Sequence, residues 1–413
     1  MTKSKGISDS RAKTAQFALM VTFFTQGFAT LSWMPRIPEF IENLDVSKEV
    51  WGAIIGFGGA GSLVPLLFTS RLVIRFGTTP IIKFSSFAFI AILLALPYPT
   101  QWWLFLVLNF MLSFAISVFN IALNSQAVMF QKRVDKVLLG SFHGSWSIGA
   151  AASAGVSSII AAFTPLKLQM FLMPVLCLGL FMWAVRHMLD PAESDSVDRD
   201  VPAERISWLK TPPYLWLLAV GGFMGMWPEL VLMDWSSVYG KEVLNLDPSR
   251  AAWPYTIFVI AMIVGRFSIA RLTEKYNVAR LSQIGGIFGS IALAIAVFSS
   301  ANLADVNQDL ALMMLCVFFA IAGLGISSMV PGFFSMAGNV EGLSTAQALS
   351  RLLLFNTIVV IFAKMAMGSL IDASSLPLAM IFPIVTFAVA GVISGVVANR
   401  HKKITLNRDY IPE

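Results

Sequence analysis

The chain is 413 residues long, 57% apolar and only 13% charged, with a formal charge of +6. Soluble domains carry about 25% charged residues, so an ordinary water-exposed globular protein is excluded. The surplus cations lie in short loops between apolar runs, which marks them as topology signals and argues against nucleic acid as a partner.

Read from the N-terminus, Met1 to Lys13 is a polar, basic tail without the features of a cleavable leader. Apolar runs then recur at 14–34, 50–70, 80–98, 102–129, 138–163, 166–187, 213–239, 251–270, 279–301, 310–337, 348–371 and 377–399. Each is long enough to cross the roughly 30 Å hydrocarbon layer as a helix. Backbone groups in lipid must bond within their own segment, so an all-α polytopic membrane protein with twelve crossings is expected, not a β-barrel. One long charged interruption, from about Arg186 to Lys210, contains Asp190-Pro191-Ala192-Glu193-Ser194-Asp195 and reads as a solvated linker. The expected organisation is a tail at 1–13, a six-helix bundle at 14–187, a linker at 188–212, a second six-helix bundle at 213–399 and a tail at 400–413. Placing the N-terminus in the cytoplasm leaves only Arg36, Lys48, Lys167, Lys241 and Arg250 outside, and Lys364 within a crossing, out of 29 Lys and Arg. Both termini and the linker then face the cytoplasm of a cell (inner or plasma) membrane protein.

An octapeptide repeats between the halves. Residues 44–51 read Leu-Asp-Val-Ser-Lys-Glu-Val-Trp and residues 246–253 read Leu-Asp-Pro-Ser-Arg-Ala-Ala-Trp. Each precedes an apolar run, and each run ends in a basic turn, Ser70 to Gly77 or Ala270 to Asn277. The two octapeptides are expected to cap equivalent helices through Asp or Ser. Six crossings return the chain to its starting side, so the duplication is parallel, as in carriers whose halves are related by an axis along the membrane normal.

The basic turn after the second crossing resembles the loop 2–3 signature of the major facilitator superfamily. Arg75 and Gly77 fit it, whereas the acid position is Ile74. The second copy supplies the acid as Glu274, with Arg271 and Lys275 around it, and lacks the Gly. The resemblance implies a cytoplasmic charge latch, split between the halves, that biases inward- and outward-facing states. Ser32-Trp33 with Arg36 and Pro38, Ala122-Leu123-Asn124, Phe142-His143-Gly144, Glu229 with Asp234-Trp235, and Val264-Gly265-Arg266-Phe267 resemble the fucose-permease-like group, in particular MosC-like proteins.

Charge inside a membrane is costly and is usually kept for function. The two carboxylates within the predicted crossings are Glu229 and Asp234, both in the seventh. Glu229 follows Pro228, a kink signal, and sits about 24 Å along the helix. It is the first candidate for reversible proton binding, against a structural acid paired with a cation or hydroxyl. Asp234 lies nearer the outer interface, where Arg36 could meet it as a gate pair, with proton coupling as its second role. Lys364 could snorkel outward or neutralise an acid of the seventh crossing. Asn120 and Asn124 share one helical face. With Gln26 they could line a wet cavity for a hydroxylated solute, or join helices by hydrogen bonds. Trp33, Trp146 and Asn356 complete the substrate-binding candidates. Gly323, Gly325, Pro331 and Gly332 make the tenth crossing breakable, and the small residues from Gly140 to Gly155 suit close packing of the fifth against a helix of the other half.

The expected function is secondary active transport of a small polar, sugar-like solute by alternating access, coupled to protons. The expected partners are that solute, protons and the lipid bilayer, with the chain acting as a monomer and needing no cofactor or metal. No G-x-x-x-x-G-K-[ST] loop is present, so an ion gradient is the energy source. A drug or metabolite exporter is the alternative, weakened because Gly149 to Gly155 lacks the proline of the Gly-Pro element common in drug antiporters. A non-transporting sensor would add a soluble output domain. Three scattered histidines, His143, His187 and His401, offer no catalytic constellation, so an enzyme is not expected.

Overall fold

The computed structural model describes residues 9–136, 138–189, 211–273, 275–340, 343 and 345–408. Glu274, the outer ends of both tails and linker residues 190–210 therefore lie outside the described residues. The described residues are helical, without a strand among them. In chain order the helices are α1 (Asp9–Leu31), α2 (Ile37–Leu44), α3 (Lys48–Gly59), α4 (Thr69–Phe76), α5 (Thr78–Ala95), α6 (Trp102–Val134), α7 (Leu139–Ile160), α8 (Leu166–His187), α9 (Pro213–Glu242), α10 (Pro248–Leu272), α11 (Val278–Leu303), α12 (Gln308–Ile326), α13 (Met329–Gly338), α14 (Thr345–Ala373), α15 (Leu376–Ala379) and α16 (Ile381–Arg408). Among the described residues, eleven helical stretches are long and apolar enough to cross a membrane. The remaining predicted crossing, 138–163, is the 22-residue α7, whose Gly, Ser and Ala content dilutes its apolar character.

The second and tenth crossings break in mid-course. The second passes from α3 through 3₁₀ turns at Ala60–Ser62 and Val64–Leu67 before α4. A run of Gly and Ser followed by Pro65 gives that backbone little reason to stay α-helical. The tenth breaks between α12 and α13, at Ser327 and Ser328, one step past the Gly323–Gly325 pair and just before Pro331. There the two serine hydroxyls bond back to the carbonyls of Leu324 and Gly325.

The octapeptides do start helices, with different caps. Asp247 accepts hydrogen bonds from Ser249 N and Arg250 N at the head of α10. In the first copy Asp45 adopts φ 49 just past α2, and Ser47 Oγ accepts from Val50 N at the head of α3. The basic turns diverge in the same way. Gly77 links α4 to α5 at φ 82, a conformation that a side chain disfavours. Asn277 has φ −61 and caps α11 through Ala279 N and Arg280 N, so the second copy needs no glycine.

The chain divides into two compact units. The first contains residues 1–33, 42–46 and 53–203; the second contains 34–41, 47–52 and 204–413. In the first unit α1 lies against α7 and α8, and α5 against α6 and α8. Gly27 and Gly149 allow the α1–α7 approach: a Cβ at Gly27 would fall on the Trp146 carbonyl, and one at Gly149 on the Phe24 carbonyl. Phe89, Phe119 and Phe181 pack together between α5, α6 and α8. In the second unit α9 contacts α10, α12, α13, α14 and α16, and α11 packs on α12 and α16. Surrounded in this way, α9 keeps Asp234, Ser236 and Ser237 buried.

Candidate functional site

The central position of α9 decides what its acids can do. Asp234 is 4% exposed, and its Oδ2 lies 2.7 Å from Lys364 Nζ of α14. Two charges buried together persist only when each satisfies the other, and removing one partner typically costs about 3–5 kcal/mol. Glu229, next to Pro228, pairs with Arg266 of α10: Nη2 donates to both carboxylate oxygens, at 2.8 and 2.9 Å. This second pair is looser in its surroundings, with side chains 12% and 29% exposed. Tyr255 of α10 is fully buried, and its hydroxyl makes no hydrogen bond among the described residues.

Asn356 of α14 is also buried. Its amide nitrogen faces Gly222 of α9, and its Oδ1 has no partner among the described residues. Trp227 of α9 is buried between Phe223 and Phe382, and its indole N–H is unbonded among the same residues. A helix carrying two ion pairs within its predicted crossing and a third at its end, beside a neighbour with a buried amide, brings charge and hydrogen-bonding capacity together. That combination suits a polar ligand.

The other candidates have contacts of their own. Arg36 was expected opposite Asp234; it is buried in the 3₁₀ turn Met34–Arg36 and forks onto Glu39, while Asp234 takes Lys364. Of the two roles open to Lys364, the structure shows neutralisation of a seventh-crossing acid. In the first unit, Asn120 and Asn124 do share a face, and Asn124 Nδ2 donates to the Asn120 carbonyl 2.8 Å away along its own helix. Gln26 and Trp33 are buried, and Trp146 is half-buried. His143 is exposed at the surface of its unit, edge-on to Phe23. Arg75 lies over the ring of Phe76, Arg271 occupies the last turn of α10, and Lys275 is exposed in the turn that follows.

Sequence reasoning missed Arg266 and Tyr255 as members of the site. Arg266 had a readable signal: a guanidinium inside an apolar run has to find an acid. Tyr255 had none, because a tyrosine is as common in helix packing as in a site.

A polytopic helical bundle in two units, with eleven described stretches long and apolar enough to cross a bilayer, is the build of an integral membrane protein. The chain belongs to the Major Facilitator Superfamily, whose family model matches residues 17–339. It is 24% identical over 371 residues to an uncharacterised MFS-type transporter of Yersinia pestis, covering 88% of this chain and 91% of the relative. It is 20% identical over 385 residues to the membrane protein MosC of Rhizobium meliloti, covering 93% and 90%. Among solved structures it resembles the nucleoside transporter NupG, with TM-score 0.69 and 13% identity over 94% of this chain and 99% of that one. It also resembles a D-xylose-proton symporter, with TM-score 0.72 and 11% identity over 92% and 97%. These likenesses agree with the MosC-like expectation and fix the fold; at such identities they do not carry cargo.

Proposed function

We propose that the protein is a proton-coupled carrier of a small, polyhydroxylated solute, working by alternating access with both termini in the cytoplasm. The observation that carries this reading is the buried Asp234–Lys364 pair. A proton arriving at Asp234 cancels its charge and frees Lys364, so one protonation event changes the bond between α9 and α14. A ligand or proton moves a conformational equilibrium only by binding its states unequally, and a pair that exists in one arrangement and opens in another meets that condition. Glu229 with Arg266 is a second protonatable pair on the same helix.

The solute class rests on the polar groups available. Asn356, and on the first unit Gln26, Asn120 and Asn124, are neutral amides that bond hydroxyls without demanding charge. Trp33 and Trp146 would supply apolar faces for a ring. The nucleoside and D-xylose named for the two structural relatives are solutes of this kind. The latch residues Arg75, Gly77, Arg271, Glu274 and Lys275 are proposed to bias the cycle from the cytoplasmic side.

The test uses purified protein in proteoliposomes holding a pH-sensitive dye. Pentoses, hexoses, polyols and nucleosides are offered in turn as an inward gradient. The expected result is internal pH change with a subset of these solutes and none with lipophilic cations. Solute entry without proton movement would overturn the coupling. A response to lipophilic cations alone would replace the solute class with that of an exporter.

A further inference from the structure

The first turn of α3 makes contacts that the proposed cycle has not used. Residues 47–52 belong to the second unit, although α3 continues into the first. Asp372, at the end of α14, accepts hydrogen bonds from the backbone N–H of Lys48 through Oδ1 at 3.1 Å and of Glu49 through Oδ2 at 2.8 Å. Lys48 Nζ lies 2.5 Å from Glu242 in the last turn of α9. Beyond these anchors Gly52 rests on α14. A Cβ there would stand 2.7 Å from the Lys364 carbonyl oxygen and 2.9 Å from Gly368 Cα.

The spacing gives these contacts meaning. Asp234 and Glu242 are about two turns, or roughly 12 Å, apart on α9, and so are Lys364 and Asp372 on α14. The two helices therefore meet at two levels. At one level Asp234 and Lys364 pair directly. At the other their carboxylates, Glu242 and Asp372, both hold the same turn of α3. The glycine seam joins the levels, because Gly52 sits against the backbone of Lys364 itself. An element bound to both helices fixes their separation, and that separation decides whether the Lys364 ammonium reaches Asp234.

We propose that Glu242 and Asp372 are positioning residues for transport: they clamp the first turn of α3 across α9 and α14, and the clamp sets the geometry of the Asp234–Lys364 pair. This rests on the transport role proposed for that pair. Neither carboxylate would need to touch solute. Asp372 acts through two helix-terminal N–H groups that have no partner within their own helix, and Glu242 through the side chain of Lys48.

The test reads two quantities in proteoliposomes: hydrogen exchange of the amides at 47–52, and protons moved per solute. Asp372→Ala is expected to speed exchange of the Lys48 and Glu49 amides about fivefold, the effect of losing a helix cap, and to lower the proton-to-solute ratio. Asp372→Asn, which keeps one acceptor oxygen, is expected to fall between Ala and the parent on both readouts. Lys48→Glu should reproduce the loss, and Lys48→Glu combined with Glu242→Lys should recover it. Gly52→Ala changes no charge and should mimic Asp372→Ala, because its methyl wedges α3 off α14. Faster exchange with an unchanged ratio in these variants would reduce the clamp to a structural cap and overturn the proposal. Unchanged exchange in Asp372→Ala would refute the clamp itself. If the parent moves solute without protons, the coupling reading fails separately. The proposal is then decided by whether solute flux falls along with the change in exchange.

Discussion

Asp234 and Lys364 show what a buried pair demands of its members. Each is tolerable because the other is 2.7 Å away, and each becomes a liability when left alone. Replacing Lys364 by Met strands a carboxylate that is 4% exposed; replacing Asp234 by Asn leaves an ammonium without its counter-charge. Either single change is expected to destabilise the second unit by about 3–5 kcal/mol, whereas the double change should recover most of that loss. Thermal unfolding of the purified variants checks the cycle, and additive losses would show that the two side chains do not act as a pair. Glu229 and Arg266 should give a smaller coupling, since both are more open to solvent and screening weakens exposed pairs. The two pairs thus differ in physical character despite sharing one helix. Sequence order alone could not rank them, because burial is set by the five helices around α9 and not by its neighbours in the chain.

At the level of elements, much was legible. The apolar runs gave the crossings because the membrane imposes a length on them, and the Gly and Pro clusters marked where the tenth would break. The second crossing carries the same kind of signal, Gly58 to Ser62 with Pro65, masked by the apolar content of the run at 50–70. The acid partners were less legible. A crossing's hydropathy says that a charge must be neutralised, but the identity of the neutralising helix depends on which faces meet. The small-residue face of α7 is legible as a packing face, but its expected partner is a helix of the other half, whereas Gly149 packs on α1 of its own unit; the structure divides the glycines into two kinds. A Cβ at Gly149 would collide with the Phe24 carbonyl, while Gly155 has open space. Gly149→Ala is therefore expected to cost about 1–3 kcal/mol by overpacking the α1–α7 seam. Gly155→Ala should be neutral or stabilising by roughly 0.5–1 kcal/mol, as Ala favours helix over Gly. Unfolding midpoints in detergent separate the two, and equal effects would show that the seam has room to give.

For the whole molecule, the coupling proposal makes a demand that a binding assay would miss. Counterflow, in which labelled and unlabelled solute exchange, needs only the loaded carrier to change sides. Net accumulation also needs the empty carrier to return, and in a symport cycle it returns after giving up its proton. Asp234→Asn imitates the protonated acid permanently: it is neutral, it releases Lys364, and it has no proton to lose. The loaded state should still change sides, so counterflow is expected within about threefold of the parent, because the solute still prefers the same arrangement. The return step should be blocked, so accumulation driven by a pH gradient should fall at least about tenfold, equivalent to roughly 1.4 kcal/mol or more. Measuring both fluxes on one preparation removes differences in protein yield. If counterflow and accumulation fall together in variant protein that thermal unfolding shows to be folded at the assay temperature, Asp234 serves the solute and does not carry the proton. If both persist, the proton is carried elsewhere, and Glu229, the other acid within the apolar course of α9, becomes the residue to replace.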